Sequence, residues 1–301
     1  MATVVTREHV FYAFSPDLQP AARVRQGEEV VLETHDCFQG QIQTEQDLMD
    51  NLNWEHINPA TGPVFIEGVR PGDVLRVDLL EVKPLEQSVV CAVPDEGVIG
   101  GRITSMETAV LRHEGNFAIF KGKVAIPLKP MVGVIGVAPA SGQIATANPG
   151  DHGGNMDCIL VGTGARLYLT AGVEGALLGA GDLHAVMGDG EIVSTGAETP
   201  GVVRLKAQVV PVPGLPTPFI ENDSIVAVVA SAATMDEAAR MATDRMAEFL
   251  TTVAGLPVND AGMLMSLVGD LKFCQVVDPL MTMRFEFPKW VLAEYGFTMP
   301  G

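Results

Sequence analysis

Gly181-Asp-Leu-His-Ala-Val-Met-Gly-Asp-Gly-Glu191 is the stretch around which the rest of the sequence is arranged. It concentrates two aspartates, one histidine and one glutamate. Asp182 and His184 are two positions apart, so on a strand both side chains point to the same face. Residues 188–190 predict a tight turn, because glycine tolerates a positive φ. Such a cluster offers metal ligands or an acid–base pair, and a β-turn with solvated acids is the alternative.

Alternation of apolar and polar residues predicts strands on both sides of this stretch. Residues 74–82 and 202–210 place apolar side chains on one face and charged or polar ones on the other. Residues 224–230 are almost entirely apolar, which indicates a strand buried on both faces. Residues 281–287 alternate and predict a half-buried strand. Residues 127–142 are rich in Gly and Pro, and we expect buried connecting backbone there.

One long helix is predicted over residues 235–254. Its apolar residues recur at helical spacing, and Thr234 and Glu237 have the spacing of a capping box. Gly255 stands where a C-terminal helix glycine belongs. A second helix is predicted over about residues 260–268.

The composition agrees with these elements. The chain has 301 residues, of which 47% are hydrophobic and 19% charged, a mixture typical of a compact, turn-rich β protein. We therefore expect a mainly β fold with sandwich or barrel-like sheets and one or two helices near the C-terminus. We expect a single domain over residues 1–301, with sub-modules at about 1–140 and 141–301.

The net charge of −18 limits the partners of the chain. An acidic surface repels phosphate backbones, so we expect no nucleic-acid partner and instead a neutral or cationic substrate, or a bound cation. No basic start followed by an apolar run is present, and no segment approaches the roughly 20 apolar residues of a membrane span. The four cysteines are far apart and form no CxxC pair, which is typical of reduced thiols in a cytoplasmic protein.

Three patches concentrate the residues that could carry chemistry. They are His35-Asp-Cys37, Asp151-His-Gly-Gly-Asn-Met-Asp157 and residues 181–191. Each places a histidine next to an aspartate or one residue from it. Because strand ends and turns carry these patches, we expect them to meet in one site.

The motifs in these patches resemble those of the acetamidase/formamidase family. The motifs are His152-Gly-Gly-Asn-Met-Asp157, Gly181-Asp-Leu-His184, Gly188-Asp-Gly-Glu191 and Asn58-Pro-Ala-Thr-Gly-Pro63. The resemblance keeps their order and spans about residues 23–275. It implies a mostly β architecture, hydrolysis of small amides to a carboxylate and ammonia, a divalent metal ion (zinc in the first place) and homo-oligomeric assembly. The family also includes enzymes that act on cyclic amides, which leaves linear and cyclic substrates open.

The chemistry of amide hydrolysis indicates which residues would hold a metal. An amide carbonyl is a poor electrophile, and zinc held by three protein ligands can polarise it and lower the pKa of its water to about 7. We expect Asp36, Asp157 and His184 to be these ligands. Asp182 is expected to orient His184 or a neighbouring loop.

The remaining candidates have roles in proton transfer and charge stabilisation. Glu191 is expected to be the general base, which takes the proton of the attacking water and passes it to the leaving nitrogen. His152 and Asn155, in their Gly-rich turn, are expected to donate hydrogen bonds to the developing oxyanion.

Two rival hypotheses give these patches other roles. A non-catalytic β protein could bind calcium or a small ligand through acidic turns, with Asp189 and Glu191 as oxygen ligands. A cysteine amidase could use Cys37 as a thiolate nucleophile, although a buried free cysteine is far more common.

Overall fold

A computed structural model describes residues 2–300 of the chain. The fold is mainly β, as the sequence predicts. The strands are β1 (Thr3–Val5), β2 (Val10–Phe11), β3 (Ala13–Phe14), β4 (Ala22–Val24), β5 (Glu29–Thr34), β6 (Ala60–Ile66), β7 (Val74–Pro84), β8 (Gln87–Ala92), β9 (Glu107–Glu114), β10 (Phe117–Phe120), β11 (Val124–Pro127), β12 (Met131–Gly136), β13 (Ile144–Ala145), β14 (Gly153–Asn155), β15 (Arg166–Thr170), β16 (Leu178–His184), β17 (Glu198–Thr199), β18 (Gly201–Val209), β19 (Phe219–Glu221), β20 (Ile225–Ala232), β21 (Asp270–Gln275) and β22 (Met281–Pro288).

The helices are concentrated near the C-terminus. They are α1 (Met235–Glu248), α2 (Val258–Val268) and α3 (Lys289–Glu294), with a π-helical turn at Phe249–Val253 and short 3₁₀ turns at Met49–Asn51, Trp54–His56 and Gly100–Arg102. No helix of residues 2–300 is long and apolar enough to cross a membrane.

Most strands belong to two large sheets. The nine-stranded sheet has the order β1-β5-β18-β7-β15-β19-β20-β22-β21, and all its neighbours are antiparallel except the first pair. The main path of the eleven-stranded sheet is β11-β10-β9-β8-β17-β16-β12-β14, and β6 joins it by pairing with β16, β2 and β4. The two sheets therefore interleave strands from distant parts of the chain.

Two apolar cores separate three layers. The larger core contains inward side chains of both sheets, such as Leu75 and Leu205 from the nine-stranded sheet and Val132 and Leu178 from the eleven-stranded one. The second core lies on the other face of the nine-stranded sheet and is closed by α1, α2 and α3. The architecture is thus a sandwich of two sheets with a helical layer on one outer face.

The predicted long helix is present and ends differently than its pattern suggests. The amide of Glu237 donates to the hydroxyl of Thr234 at 3.2 Å, which caps the start of α1. The last turn widens into the π-helical Phe249–Val253, and Gly255 follows with φ 77°. The third helix, α3, follows Pro288 directly and is too short for its periodicity to be visible in the sequence.

Two expectations for individual strands are wrong. Residues 127–142 do not form only connecting backbone, because β12 lies inside the eleven-stranded sheet between β16 and β14. β12 is buried on both faces, so it lacks the alternation that marks a strand. β22 is buried along nearly its whole length rather than half-buried, because the helical layer covers Phe285 and Phe287 while Arg284 on the other face is buried as well.

A buried carboxylate ties the helical layer to the nine-stranded sheet. The side chain of Glu221 in β19 is only 3% exposed. It accepts hydrogen bonds from the Tyr168 hydroxyl at 2.7 Å, from Arg166 at 3.3 Å and from Lys289 at the start of α3. Burial raises the pKa of Glu221, but the hydrogen bonds of Lys289 and Tyr168 and the positive charges of Lys289 and Arg166 outweigh it and hold this pKa below its usual value.

We predict that Glu221→Gln lowers the free energy of unfolding by about 1–3 kcal/mol at neutral pH, a range that allows for the partly exposed cations. Because the folded-state pKa lies below the unfolded one, this contribution is present above the unfolded pKa of about 4.3 and is lost as pH falls through the folded pKa. Urea unfolding at pH 7 and in steps down to pH 3 measures it.

The control for this prediction is Glu81→Gln, which removes a half-exposed partner of Arg204. That variant should change the unfolding free energy by at most about 1 kcal/mol. Equal losses in the two variants, or a Glu221 effect that does not shrink in acid, would contradict the prediction.

Candidate active site

Strand register brings the motifs of the sequence together in the eleven-stranded sheet. At the end of β16, His184 lies opposite Met131 of β12 on one side and opposite Glu198 of β17 on the other. On the far side of β12, Val134 pairs with Asn155 of β14, so the chain reaches Asp157 two residues later. The site is therefore built at the adjoining ends of β14, β12, β16 and β17.

Four carboxylates surround one imidazole at this place. The Nε2 atom of His184 lies 3.2 Å from Oε2 of Glu198 and 3.4 Å from Oδ1 of Asp182. It lies 3.7 Å from Oδ1 of Asp157 and 3.9 Å from Oε1 of Glu191. All five side chains are buried. We call this group of five residues the His184 cluster.

Several oxygens of the His184 cluster lack a hydrogen-bond partner among the described residues. They are both carboxylate oxygens of Asp157, Oδ1 of Asp182 and Oε2 of Glu198. A buried acceptor without a partner costs about 1–3 kcal/mol, and more when it is charged, so such groups call for an explanation. Ligand atoms of Asp157, His184 and Glu191 lie within 4.8 Å of one another. An imidazole among carboxylates is a donor set that suits zinc, and the residues present fit a divalent metal ion.

The pKa values of the acids show how strongly this site favours positive charge. Burial, followed by the charges of nearby carboxylates, raises the pKa of Asp157 well above its usual value. Burial also raises the pKa of Glu191 well above its usual value, and that of Glu198 to about 7. Burial lowers the pKa of His184, but Glu198 and Asp182 outweigh it and raise this pKa well above 6.5. These acids repel one another in a desolvated space, and a bound cation would relieve that repulsion.

Three members of the cluster have a left-handed backbone. The φ angles are 43° at Asp157, 53° at Asp182 and 48° at Glu191. A non-glycine residue pays about 1–2 kcal/mol for this conformation, and such residues gather at functional sites. The fold thus holds these three carboxylates in place against local backbone preference.

A buried arginine, Arg284, holds the turn that precedes Glu191. Arg284 of β22 donates to both carboxylate oxygens of Asp189, each at 2.7 Å, and to Glu286 at 2.7 Å. The amide of Gly190 also donates to the carbonyl of Cys274 at 2.8 Å. Both carboxylate oxygens of Asp189 thus already accept from a buried cation, Arg284, and they hold the turn that carries Glu191.

Two glycines leave space for the cluster. A Cβ at Gly133 of β12 would lie 2.7 Å from Oδ2 of Asp182 and 2.9 Å from its carbonyl oxygen, and would also contact Asp157. A Cβ at Gly196 would lie 2.5 Å from Nδ1 of His184. Side chains at these two positions would therefore displace the carboxylates or the imidazole.

The structure brings some predicted site residues together and separates others. Asp157, His184 and Glu191 meet as expected. Asp36 follows β5 and is buried, with one oxygen accepting from the amide of Gly40 at 2.9 Å, and it lies outside the group formed by those three. Asp36 and Glu198 line the same cavity, so Asp36 lies beside the cluster. Burial raises the pKa of Asp36, and the charge of Asp182 contributes in the same direction.

The two predicted hydrogen-bond donors lie near β14. Asn155 donates from Nδ2 to Oδ2 of Asp278 at 2.8 Å. His152 packs its ring edge-on against Phe14, and both of its ring nitrogens are buried without a partner among residues 2–300. Burial lowers the pKa of His152 to about 4, so its ring is neutral near pH 7.

Sequence reasoning missed two acids of this site. Glu198 lies opposite His184, and its Oε1 accepts from the amide of Gly196 at 2.7 Å. Burial raises the pKa of Asp278 to about 8, with the charge of Asp182 adding to the effect. Asp278 precedes a proline in an ordinary turn sequence, and no local pattern distinguishes it. For Glu198, the sequence offers one signal, the segment Thr195-Gly-Ala-Glu198, which follows residues 181–191 closely.

Cys37 lies beside acids rather than cations. Burial, and then the negative charges of Glu198, Asp182 and Asp36, raise the pKa of the Cys37 thiol well above its usual value. A nucleophilic cysteine needs surroundings that lower this pKa. These surroundings therefore favour the neutral thiol.

Two cavities reach the cluster. One of about 450 Å³ is lined by Glu191 and Met187, and we call it the Glu191 cavity. The other, of about 510 Å³, is lined by Asp36 and Glu198.

Comparisons with known proteins find relatives of similar sequence and fold. The sequence profile of the Acetamidase/Formamidase family matches residues 3–148 and 140–278. The crystal structure of an acetamidase from Bacillus halodurans is 39% identical, with a TM-score of 0.96, over 98% of this chain and 100% of that one. The structure of a predicted acetamidase/formamidase from Thermoanaerobacter tengcongensis is 41% identical, with a TM-score of 0.96, over 99% of both chains. The acetamidase of Mycolicibacterium smegmatis is 28% identical over 60% of this chain, which spans 61% of that longer protein.

We predict that Gly133→Ala lowers the free energy of unfolding by about 1–3 kcal/mol, because the new methyl group overpacks the buried cluster. Gly262→Ala in α2 is the matched control, since a Cβ there meets nothing within 4 Å. It should be neutral or stabilising by up to about 1 kcal/mol. Urea unfolding of the two variants decides the prediction, and a Gly133 variant as stable as the control would refute it.

Proposed function

The chain belongs to the acetamidase/formamidase family, and from this premise we propose that it hydrolyses small neutral amides to a carboxylate and ammonia. The observation that carries the proposal is the His184 cluster, in which four buried carboxylates surround one imidazole and several oxygens have no partner within residues 2–300. The acetamidases and formamidases that this chain resembles act on short linear amides by name. The chain spans less than two thirds of the length of these curated relatives. We therefore propose the substrate from the site as well as from their names.

We propose that the cluster holds a divalent cation, with zinc preferred over calcium. His184 would supply the nitrogen, and two of the acids Asp157, Asp182 and Glu198, whose oxygens lack a partner among residues 2–300, would supply the oxygens, since a catalytic zinc takes three protein ligands. The imidazole favours zinc, since calcium takes oxygen ligands. When bound, the cation would supply Lewis acidity toward the amide carbonyl. Asp36, the remaining ligand expected from the sequence, holds a turn with one oxygen, so we assign it a supporting role beside Asp182.

Glu191 is the proposed general base. It is the one carboxylate of the His184 cluster that lines the Glu191 cavity, and its side chain forms no hydrogen bond to the described residues. Burial raises its pKa, which strengthens the ionised carboxylate as a proton acceptor. Glu191 would take a proton from the attacking water and deliver it to the leaving nitrogen, which departs as ammonia only when protonated.

His152 and Asn155 have different proposed tasks. The neutral His152 ring, with both nitrogens free among the described residues, is a candidate donor to the oxygen that gains negative charge. Asn155 uses one N–H to hold Asp278, so its main role would be to position that acid against Asp157. Cyclic amides, homo-oligomeric assembly and a cytoplasmic location stay predictions.

We predict that Glu191→Gln lowers kcat for acetamide or formamide by about 10²–10⁴-fold, because the variant cannot accept a proton. Unfolding temperature and metal content should stay close to wild type. Ammonia release measures the rate. Glu86→Gln is the matched control, since Glu86 is exposed and lines the other cavity, and its rate should stay within about twofold. Full activity of the Glu191 variant would exclude it as the base.

We also predict about one divalent metal ion per chain by elemental analysis, with activity lost on chelation and restored by zinc. Asp157→Asn should weaken metal binding at least about tenfold, because it removes a buried charged oxygen from the donor set. Asp151→Asn, in the same turn but exposed and paired with Arg245, is the control. Full activity in metal-free protein would refute the metal proposal.

A further inference from the structure

We propose that the Glu191 cavity is the acyl-binding site and that it selects aliphatic amides longer than acetamide. This inference rests on the proposed function and specifies the substrate. Its wall is mostly aliphatic and aromatic, with side chains from β8, β9 and the β10–β11 hairpin, among them Val90, Leu111, Phe120 and Ile126.

Three residues of the wall connect the Glu191 cavity directly to the His184 cluster. Glu191 belongs to both. The Sδ atom of Met187 lies 3.3 Å from Nδ1 of His184. Gly196 donates its amide to Glu198. A chain in this cavity would therefore end beside the carboxylate that we propose as the base.

The polar groups of this wall have other partners, apart from Glu191. Asp189 is held by Arg284 through both oxygens. The Thr195 hydroxyl accepts from the amide of Cys91 at 3.1 Å and donates to the carbonyl of Cys91 at 3.2 Å. No lysine, arginine or histidine is among the lining residues. The wall therefore offers nothing to neutralise a negatively charged side chain of a substrate, and its apolar side chains fit an uncharged hydrocarbon chain.

The size of the cavity exceeds what a two-carbon amide needs. Its 450 Å³ lies within the range of about 300–1,000 Å³ that encloses much larger ligands. Each buried methylene contributes about 0.8 kcal/mol, which corresponds to about fourfold in kcat/KM. Specificity should therefore rise along the series acetamide, butyramide and hexanamide until the cavity is filled.

The second cavity, beside Asp36 and Glu198, is a poor site for an acyl chain. Its wall carries Gln43, Glu86 and Gln87 besides those two acids. Burying a hydrocarbon there would desolvate polar groups without a partner. Water or the departing ammonia suits these surroundings better.

Rates with acetamide, butyramide and hexanamide test the proposal in wild type and three tryptophan variants. Ile126 of β11 is half-buried and lines the Glu191 cavity, so Ile126→Trp fills part of that cavity. Val124→Trp adds the same bulk on the same strand outside the cavity, at a side chain that is 52% exposed. Leu85→Trp adds it to the wall of the second cavity.

We expect kcat/KM of wild type to rise about fourfold per methylene. Ile126→Trp should lower kcat/KM for hexanamide at least about tenfold while that for acetamide stays within about twofold. Both controls should keep the wild-type chain-length profile. A flat profile in wild type, or loss of the long-chain preference in Leu85→Trp and not in Ile126→Trp, would overturn the acyl-site proposal and leave amide hydrolysis standing.

A binding measurement distinguishes failure of the acyl-site proposal from failure of the proposed amide hydrolysis. If no amide is hydrolysed, the proposed function fails, and calorimetry with hexanamide still tests the cavity. Hexanamide should bind Glu191→Gln with a negative heat-capacity change, and addition of Ile126→Trp should weaken binding at least about tenfold. Equal binding in the presence and absence of the tryptophan would refute an acyl site there.

Discussion

Mutual repulsion among buried carboxylates is the constraint on which the rest of this structure depends. Asp157, Asp182, Glu191 and Glu198 share one desolvated space, with a single imidazole in reach of all four. Like charges without water strongly disfavour ionisation, so the arrangement is tolerable only with protons or a cation in it. The fold accepts this cost together with three left-handed backbone positions. A protein with only structural demands would have filled the same volume with apolar side chains at lower cost.

The sandwich supplies the rigidity that such a site needs. The cluster lies at strand ends of the eleven-stranded sheet, where β12 and β17 fix His184 from both sides. Glycine at residue 133 lets β12 pass beside the carboxylates without a side chain between them. The repulsive group is thus positioned by backbone pairing rather than by hydrogen bonds among its own members. Several of its oxygens, among them both of Asp157, therefore have no hydrogen-bond partner among residues 2–300.

Much of this fold could be predicted from local pattern, and much of the site from motifs. β7 and β18 alternate cleanly, and α1 carries its cap and terminal glycine, so their elements were recognisable. β12 is buried on both faces and contains glycines, which removes the periodic signal. The site acids within compact motifs were found, whereas Glu198 and Asp278 join through pairing and turns that only the tertiary structure creates. Asp36 lies beside the site because of its strand, but its hydrogen bonds could not be foreseen.

Arg284 clamps the turn at residues 188–190, and this limits which part of the cavity wall can change shape. The turn that carries Glu191 is fixed to β21 and β22 and has little freedom to act as an adjustable lid. The β10–β11 hairpin lines the same cavity through Phe120 and Ile126, and no carboxylate of the His184 cluster lies on it. The shape of the cavity can therefore change more readily at the hairpin than at the clamped turn.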